Sequence, residues 1–237
     1  MTTDLTPLQV PSLKDACVTR LEHLILSGEF KVGEKLPSER KLAETLGISR
    51  PVVHEALVDL SAKGLVTIKP RKGVIVNDFR TTGSCTLLNT LLDYHEGDLD
   101  APFMESLIAM RLLIETEIAR LAAQHRTPAD LEKLEAILAE GSHADPDDTP
   151  AMAALAFRFH LQVALASGNL MYPLILNSFK GVYTNIAGKF FAKNHGTPTA
   201  EKLLTLRQQL TKAITAGDSP AAADFMAATI KHGAQYL

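Results

Sequence analysis

Tryptophan is absent from this chain, and only 2 cysteines, 4 tyrosines and 9 phenylalanines occur in its 237 residues. Cys17 and Cys85 are too few for a disulfide framework and lack the close spacing of a cysteine-held metal, so the expected setting is a reducing cytoplasm. No basic-then-apolar leader opens the sequence, and no internal repeat or low-complexity tract interrupts it. Long apolar runs are missing too. The most apolar stretch, residues 151–176, is broken by Arg158, His160 and Asn169, which argues against a membrane span. Positive charge is not in excess: 24 Lys and Arg stand against 27 Asp and Glu, a net charge of -3. A non-specific polycationic binder of nucleic acid is therefore excluded. Phosphate loops, zinc-protease motifs and nucleophile elbows are all missing, which leaves an enzyme without its chemistry.

What remains is a folded chain, 46% hydrophobic and 22% charged. Its charge divides unevenly. Up to residue 78 there are 11 basic and 10 acidic residues; beyond it there are 13 and 17, so a weakly basic head precedes an acidic body.

The head has readable punctuation. Residues 12–27 carry Leu13, Cys17, Leu21, Leu24 and Ile25 at helical spacing, and Gly28 ends the helix. After a turn and a short extended piece, Ser38 caps a second helix that Gly47 stops. Ser49 opens a third, with Pro51 in its first turn and Gly64 at its end. "LVTIKP" and "GVIVND" read as strands of a hairpin turning at Pro70–Gly73. Helix, helix, short turn, helix and hairpin make a winged helix-turn-helix.

In such a unit the third helix enters the major groove by its first turns. Arg50 and His54 lie nearest solvent at that end, while Val53, Leu57 and Leu60 face inward. Arg50 can donate two hydrogen bonds to a guanine, a contact worth roughly 1–3 kcal/mol of discrimination. Ser49 and the helix start it caps can take a phosphate. Val52 joins them as a candidate contact, Arg40 is placed for the backbone, and Arg71 and Lys72 tip the wing. The plain alternative is that these are ordinary solvated residues of a small helical domain.

Residues 79–84 are short, polar and unpatterned, which places a linker between a head at 1–78 and a body at 85–237. The body reads as an all-α bundle of about seven helices, near 84–95, 102–125, 128–140, 149–167, 170–193, 199–216 and 219–236, with glycines at the breaks and prolines at the starts. The fold class is mainly α, a winged head plus an all-helical bundle. In the 170–193 helix Tyr172, Leu176, Phe179, Tyr183, Ile186 and Phe190 share one face, which can line a long apolar tunnel or serve as bundle core. Gly181 and Gly188 on the opposite face would let another helix approach. Arg111 borders an apolar stripe that includes Leu107, where it either pairs with Glu115 or faces an anionic ligand.

The run "GEKLPSERKLAETLGISRPVVHEALVDLSAKGL" with the wing "RKGVIV" resembles the DNA-binding domain of GntR-family transcriptional regulators over residues 12–78. That family usually has arginine where this chain has His54. A single imidazole cannot make a two-pronged guanine contact, so a different operator is expected, the alternative being that His54 only contacts phosphate. The acidic bundle resembles the effector domain of the FadR subfamily, most of whose members hold a metal through one aspartate and three histidines. Here "AFRFH" keeps His160 but has Ala156 at the aspartate position, and Arg207 and Thr229 at the other two. No metal or cofactor is expected, since one imidazole holds a divalent ion poorly; His232, three residues beyond Thr229, is an alternative ligand position, but core or interface histidines are the favoured reading of both His160 and His232.

"ALASGNLMYPLILNSFKGVYTNIAGKFFAKN", "NDFRTTGSCTLLNTLL" and "LIAMR" resemble the fatty-acid-responsive branch of that subfamily. The resemblance implies a homodimer on double-stranded DNA, with a long-chain acyl-CoA as effector and no membrane partner. It also implies that Arg111 stands beside the ligand, and together with the apolar faces read from helical spacing this gives a candidate effector site of Leu107, Arg111, Tyr172, Phe179, Tyr183 and Phe190. A regulator answering a small carboxylate or a metal-bound organic acid is the alternative.

Overall fold

The computed structural model describes residues 12–237, so the first eleven residues assigned to the head lie outside the described residues. Twelve helices and one two-stranded sheet follow, and the chain divides into two compact units, Met1–Glu96 and Gly97–Leu237.

The first unit holds α1 (Leu13–Leu26), α2 (Glu39–Leu46), α3 (Arg50–Ala62), β1 (Val66–Lys69), β2 (Gly73–Val76), α4 (Phe79–Thr82) and α5 (Leu87–Tyr94). Local chemistry sets the helix ends. Ser12 and Asp15 form a reciprocal capping box at α1, Ser38 accepts from the Lys41 amide at α2, and Gly47 leaves α2 in the left-handed region at φ 67°. Leu21, Val53, Ala56, Leu57, Leu60 and Leu65 are fully buried, so α1 packs on α3 and α3 rests on β1 of the hairpin. β1 and β2 pair antiparallel, Val66 opposite Val76 and Lys69 opposite Gly73; the extended piece at Lys35 adds a bridge to Ile75.

The region expected as a linker is built into this unit. Asp78 caps the one-turn α4, and the Thr82 hydroxyl donates to the Gly64 carbonyl at 2.8 Å. α5, expected in the bundle, belongs to the head: Leu87 joins its core, and buried Thr90 donates to Glu22 of α1, which Lys63 also meets. A mostly polar segment looked like a tether because one ring, Phe79 against the head core, and hydrogen bonds from Thr82 and Ser84 anchor it, and these leave no apolar period in the sequence. Gly64, at φ +82°, makes the docking possible, since a Cβ there would lie 2.1 Å from the Thr82 carbonyl oxygen. Gly64→Ala is expected to destabilise the unit by roughly 1–3 kcal/mol or more, as strained φ and overlap combine. Gly28→Ala, at φ +79° with open space around it, supplies the strain alone. The difference between their thermal melts isolates the docking.

The second unit holds α6 (Ala101–His125), α7 (Pro128–His143), α8 (Thr149–Ala166), α9 (Met171–Ser178), α10 (Lys180–Asn194), α11 (Pro198–Ala216) and α12 (Ser219–Gln235). Seven helices are described, though not the seven expected: α5 has left, and the 170–193 helix is two. Phe179, at φ -98° and ψ 3°, breaks it. The apolar spacing continues across the break, which is why the sequence pattern hides it. α6 runs through the centre, where Ala119, Ala122 and Ala123 meet Ala222 and Met226 of α12; such small side chains let the two helices pack closely. The face of α10 bearing Gly181 and Gly188, expected to meet a helix, lines an open groove beside the start of α8.

Candidate functional site

The head presents its candidate DNA face from α2, α3 and the wing. Ser49 is the N-cap of α3 but makes no side-chain capping bond, so its hydroxyl is not committed to the helix. The Arg50 side chain is 66% exposed and stands 3.9 Å from Glu39 at the start of α2. The same carboxylate meets His54 Nδ1 at 2.9 Å. Glu39, absent from the sequence reading, thus ties together the two side chains expected to face bases. Behind them Val53 and Leu57 are buried, and Val52 is half-buried at the edge. Arg40 is exposed on α2 and pairs with Glu44 at 3.2 Å. Arg71 and Lys72 are exposed at the wing tip, and Arg71 is held at φ 61°, an uncommon conformation for a side-chain-bearing residue. Every residue proposed for DNA contact therefore lies on or at the edge of this surface.

In the second unit a polar cluster is sunk in apolar packing. Arg111 on α6 donates through Nε to Glu115 at 2.6 Å and through a terminal nitrogen to the Tyr183 phenol of α10 at 2.8 Å. The other Glu115 oxygen meets His160 Nδ1 of α8 at 2.5 Å. Glu115 and His160 are both 2% exposed. Burial alone would raise the Glu115 carboxyl, but Arg111 and His160 hold it down at about 2. Burial pushes the His160 imidazole below its ordinary value against the pull of Glu115, so its neutral Nδ1–H donates to the carboxylate. Burial likewise pushes the Tyr183 phenol up and keeps it neutral.

Two cavities flank this cluster. The inner one lies among Ile108, Ala156, Ile186, Phe190, Leu203 and Ile230, with Arg111, His160, Tyr183, Arg207 and Thr229 on its wall. The second is lined by Leu107, Met110, Ile114, Leu176, Phe179 and Val182. They share Arg111, Tyr183 and Ile186. Both are narrow as they stand, so a ligand larger than a few atoms has to spread the helices around them.

Five of the six side chains proposed for the effector line these cavities: Leu107, Arg111, Phe179, Tyr183 and Phe190. Tyr172 does not; it sits on α9, beyond the break, packed half-buried against the main core. Arg111 pairs with Glu115, the first of the two alternatives, and borders both cavities. His232 lies apart, bonded to the Thr199 carbonyl at 2.8 Å.

Ala156, His160, Arg207 and Thr229, the four positions compared with metal-ligand positions, line one cavity. Their chemistry does not fit a metal. Only His160 can ligate, its Nδ1 is engaged by Glu115, and Arg207 brings a cation. Among the described residues no cluster of three His, Cys, Asp or Glu is placed to hold an ion. Arg207 as a site residue was missed, although a signal existed: it falls within the Leu203, Leu206, Leu210, Ile214 stripe of α11, where a charge is out of place.

Comparison with known proteins places these features. Residues 13–76 match the model of bacterial regulatory proteins of the gntR family, and residues 106–232 match the FCD domain. The "Fatty acid metabolism regulator protein" of Yersinia pestis (strain Pestoides F) is 36% identical over 181 residues, covering 76% of this chain and 71% of the relative. Its counterpart in Yersinia pseudotuberculosis serotype O:1b (strain IP 31758) matches equally. Among solved structures, Streptococcus agalactiae GntR is 26% identical with a TM-score of 0.51, over 95% of this chain and 100% of that one. The structure of Lar, which controls expression of the Listeria monocytogenes agr system, shares the fold alone. It has a TM-score of 0.64 at 19% identity, over 97% of this chain and 98% of that one. No described helix is long and apolar enough to cross a membrane. A winged head with an exposed arginine at the start of its recognition helix, followed by an FCD bundle, makes this chain a DNA-binding transcriptional regulator, and it belongs to the GntR family.

Proposed function

We propose that this regulator governs fatty acid metabolism, that it holds a near-palindromic operator as a homodimer, and that a long-chain acyl-CoA entering the helical unit weakens that grip. One observation carries the effector reading: two adjoining cavities, largely apolar around the Arg111–Tyr183–Glu115–His160 cluster, with Arg207 and Thr229 also on the wall of the inner one, lie where α6, α8 and α10 meet. The relatives named as fatty acid metabolism regulators support the substrate class.

Burying an acyl chain contributes roughly 0.8 kcal/mol per methylene, ample to shift a conformational equilibrium of a few kcal/mol. The chain must pass Tyr183 and Ile186, which belong to both cavities, and so must disturb the Arg111–Tyr183 bond that ties α6 to α10. A bundle that repacks there has two states for the ligand to choose between, and a dimer reading two half-sites is sensitive to small changes in spacing.

Calorimetric titration with oleoyl-CoA is expected to show saturable binding near one per subunit, and gel shifts to show operator release. Ala187 lines the inner cavity. Ala187→Phe should fill it and weaken oleoyl-CoA binding at least tenfold while leaving operator affinity intact. No binding to the unaltered protein, or full binding to the filled variant, overturns the reading.

A further inference from the structure

Of the charged side chains lining the two inner cavities, Arg207 alone has no counter-ion. It is partly buried overall, yet its Nε is enclosed and lacks any hydrogen-bond partner, and its guanidinium carbon lies 5.7 Å from the centre of the Phe159 ring. Glu115 cannot serve it, because Arg111 and His160 occupy both carboxylate oxygens. Arg111 and Glu115 cancel, while His160 and Tyr183 are kept neutral by burial. One positive charge is left over. A guanidinium does not escape by losing its proton, and an enclosed N–H without an acceptor is costly, so a ligand group bonding Arg207 Nε is the natural complement.

Position narrows the ligand further. Arg207, Leu203 and Phe191 border both the inner cavity and an open groove formed by the end of α7, the start of α8 and the start of α11. A molecule arriving from the groove meets the guanidinium first and then a mainly apolar wall, with His160 and Thr229 set into it, on its way toward Tyr183 and the second cavity. One anionic group is wanted there, since Arg111 already pairs with Glu115 and Arg207 is the cation left without a partner.

We infer that Arg207 is the head-group residue of this site and that it takes a carboxylate, so that a free long-chain monocarboxylate is a ligand in its own right. Its tail would lie among Ile108, Ile186, Phe190 and Ile230. A thioester carries no charge at the corresponding atom and leaves Arg207 uncompensated. This inference rests on the cavity being the effector site, and it differs from the acyl-CoA reading in the head group.

The test is calorimetry on the full chain, below micellar concentrations, with oleate, oleyl alcohol, oleoyl-CoA and citrate. Oleate should bind about tenfold or more tighter than the alcohol, the worth of one charge-assisted contact, and citrate should not bind. Arg207→Gln should lower oleate affinity roughly ten- to a hundredfold and leave the alcohol unchanged, and Arg207→Lys should restore part of the loss. Equal binding of oleate and alcohol by the unaltered protein overturns the inference whatever the variants do, and so does oleate binding that Arg207→Gln leaves intact. Oleoyl-CoA binding without oleate binding defeats this inference and keeps the acyl-CoA reading. Oleate binding without oleoyl-CoA binding does the reverse, and if neither binds both fail.

Discussion

Glu115→Ala is expected to melt far below the unaltered protein, by on the order of 10 °C. Its carboxylate is the shared acceptor of Arg111 from its own helix and His160 from α8, and it is 2% exposed. Removing it strands a guanidinium in apolar packing and deprives the imidazole of its acceptor. Breaking one side of a buried pair costs about 3–5 kcal/mol, against a total stability of about 5–15 kcal/mol. Each kcal/mol moves the midpoint by about 2–4 °C in a protein this long. The double variant Arg111→Leu, Glu115→Leu, which withdraws both charges together, should recover much of the loss. A single variant melting within about 2 °C of the parent would show that the cluster does not hold the bundle.

The same cluster sets an acid limit. Both shifted groups have folded values below their ordinary ones, so both contribute stability that is present above the ordinary value and lost as pH falls. His160 begins to cost stability below its ordinary 6.5, and Glu115 does so between its ordinary 4.5 and about 2. Melting temperature should therefore fall in two stages on acidification, and Glu115→Ala should lack the lower one.

The second large effect is on DNA. Arg50→Ala should leave the melt unchanged, because the side chain is exposed and only a 3.9 Å contact to Glu39 is lost. Operator affinity should nevertheless drop by about ten- to a hundredfold per head, the worth of one two-pronged guanine contact. Binding to a scrambled duplex should hardly change. Lys72→Ala at the wing tip should instead weaken both duplexes alike and reduce the salt dependence by about one charge. Fluorescence anisotropy on the two duplexes at several salt concentrations separates these outcomes. An Arg50→Ala protein that still prefers the operator would remove Arg50 from base reading.

Much of this protein could be read along the chain because its signals are local. A serine before an apolar period, a proline in a first turn, a glycine where φ turns positive and alternating valines each involve a few adjacent residues. They were enough for the winged head and for most helices of the bundle. The signals failed where the deciding contact was distant. Residues 79–84 gave no hint of docking, since what holds them is a single ring, Phe79, on the head core and hydrogen bonds such as that from Thr82 back to Gly64, which make no periodic pattern. The break at Phe179 was hidden because apolar spacing does not report backbone angles.

The site divides the same way. Helical periodicity placed Tyr183 and Phe190 on one face, but not the meeting of Arg111 with Tyr183, 72 residues apart, or of Glu115 with His160, 45 apart. Nor could composition say that Arg207, one of 24 basic residues, would have its Nε enclosed without an acceptor beside it. Which charges neutralise one another depends on which helices pack. The sequence by itself determined the family, the DNA-reading helix and the apolar faces, because these are properties of single elements. Only the tertiary structure decided which buried charge is left unpaired, because charge balance inside a core belongs to the packed assembly of α6, α8, α10 and α11.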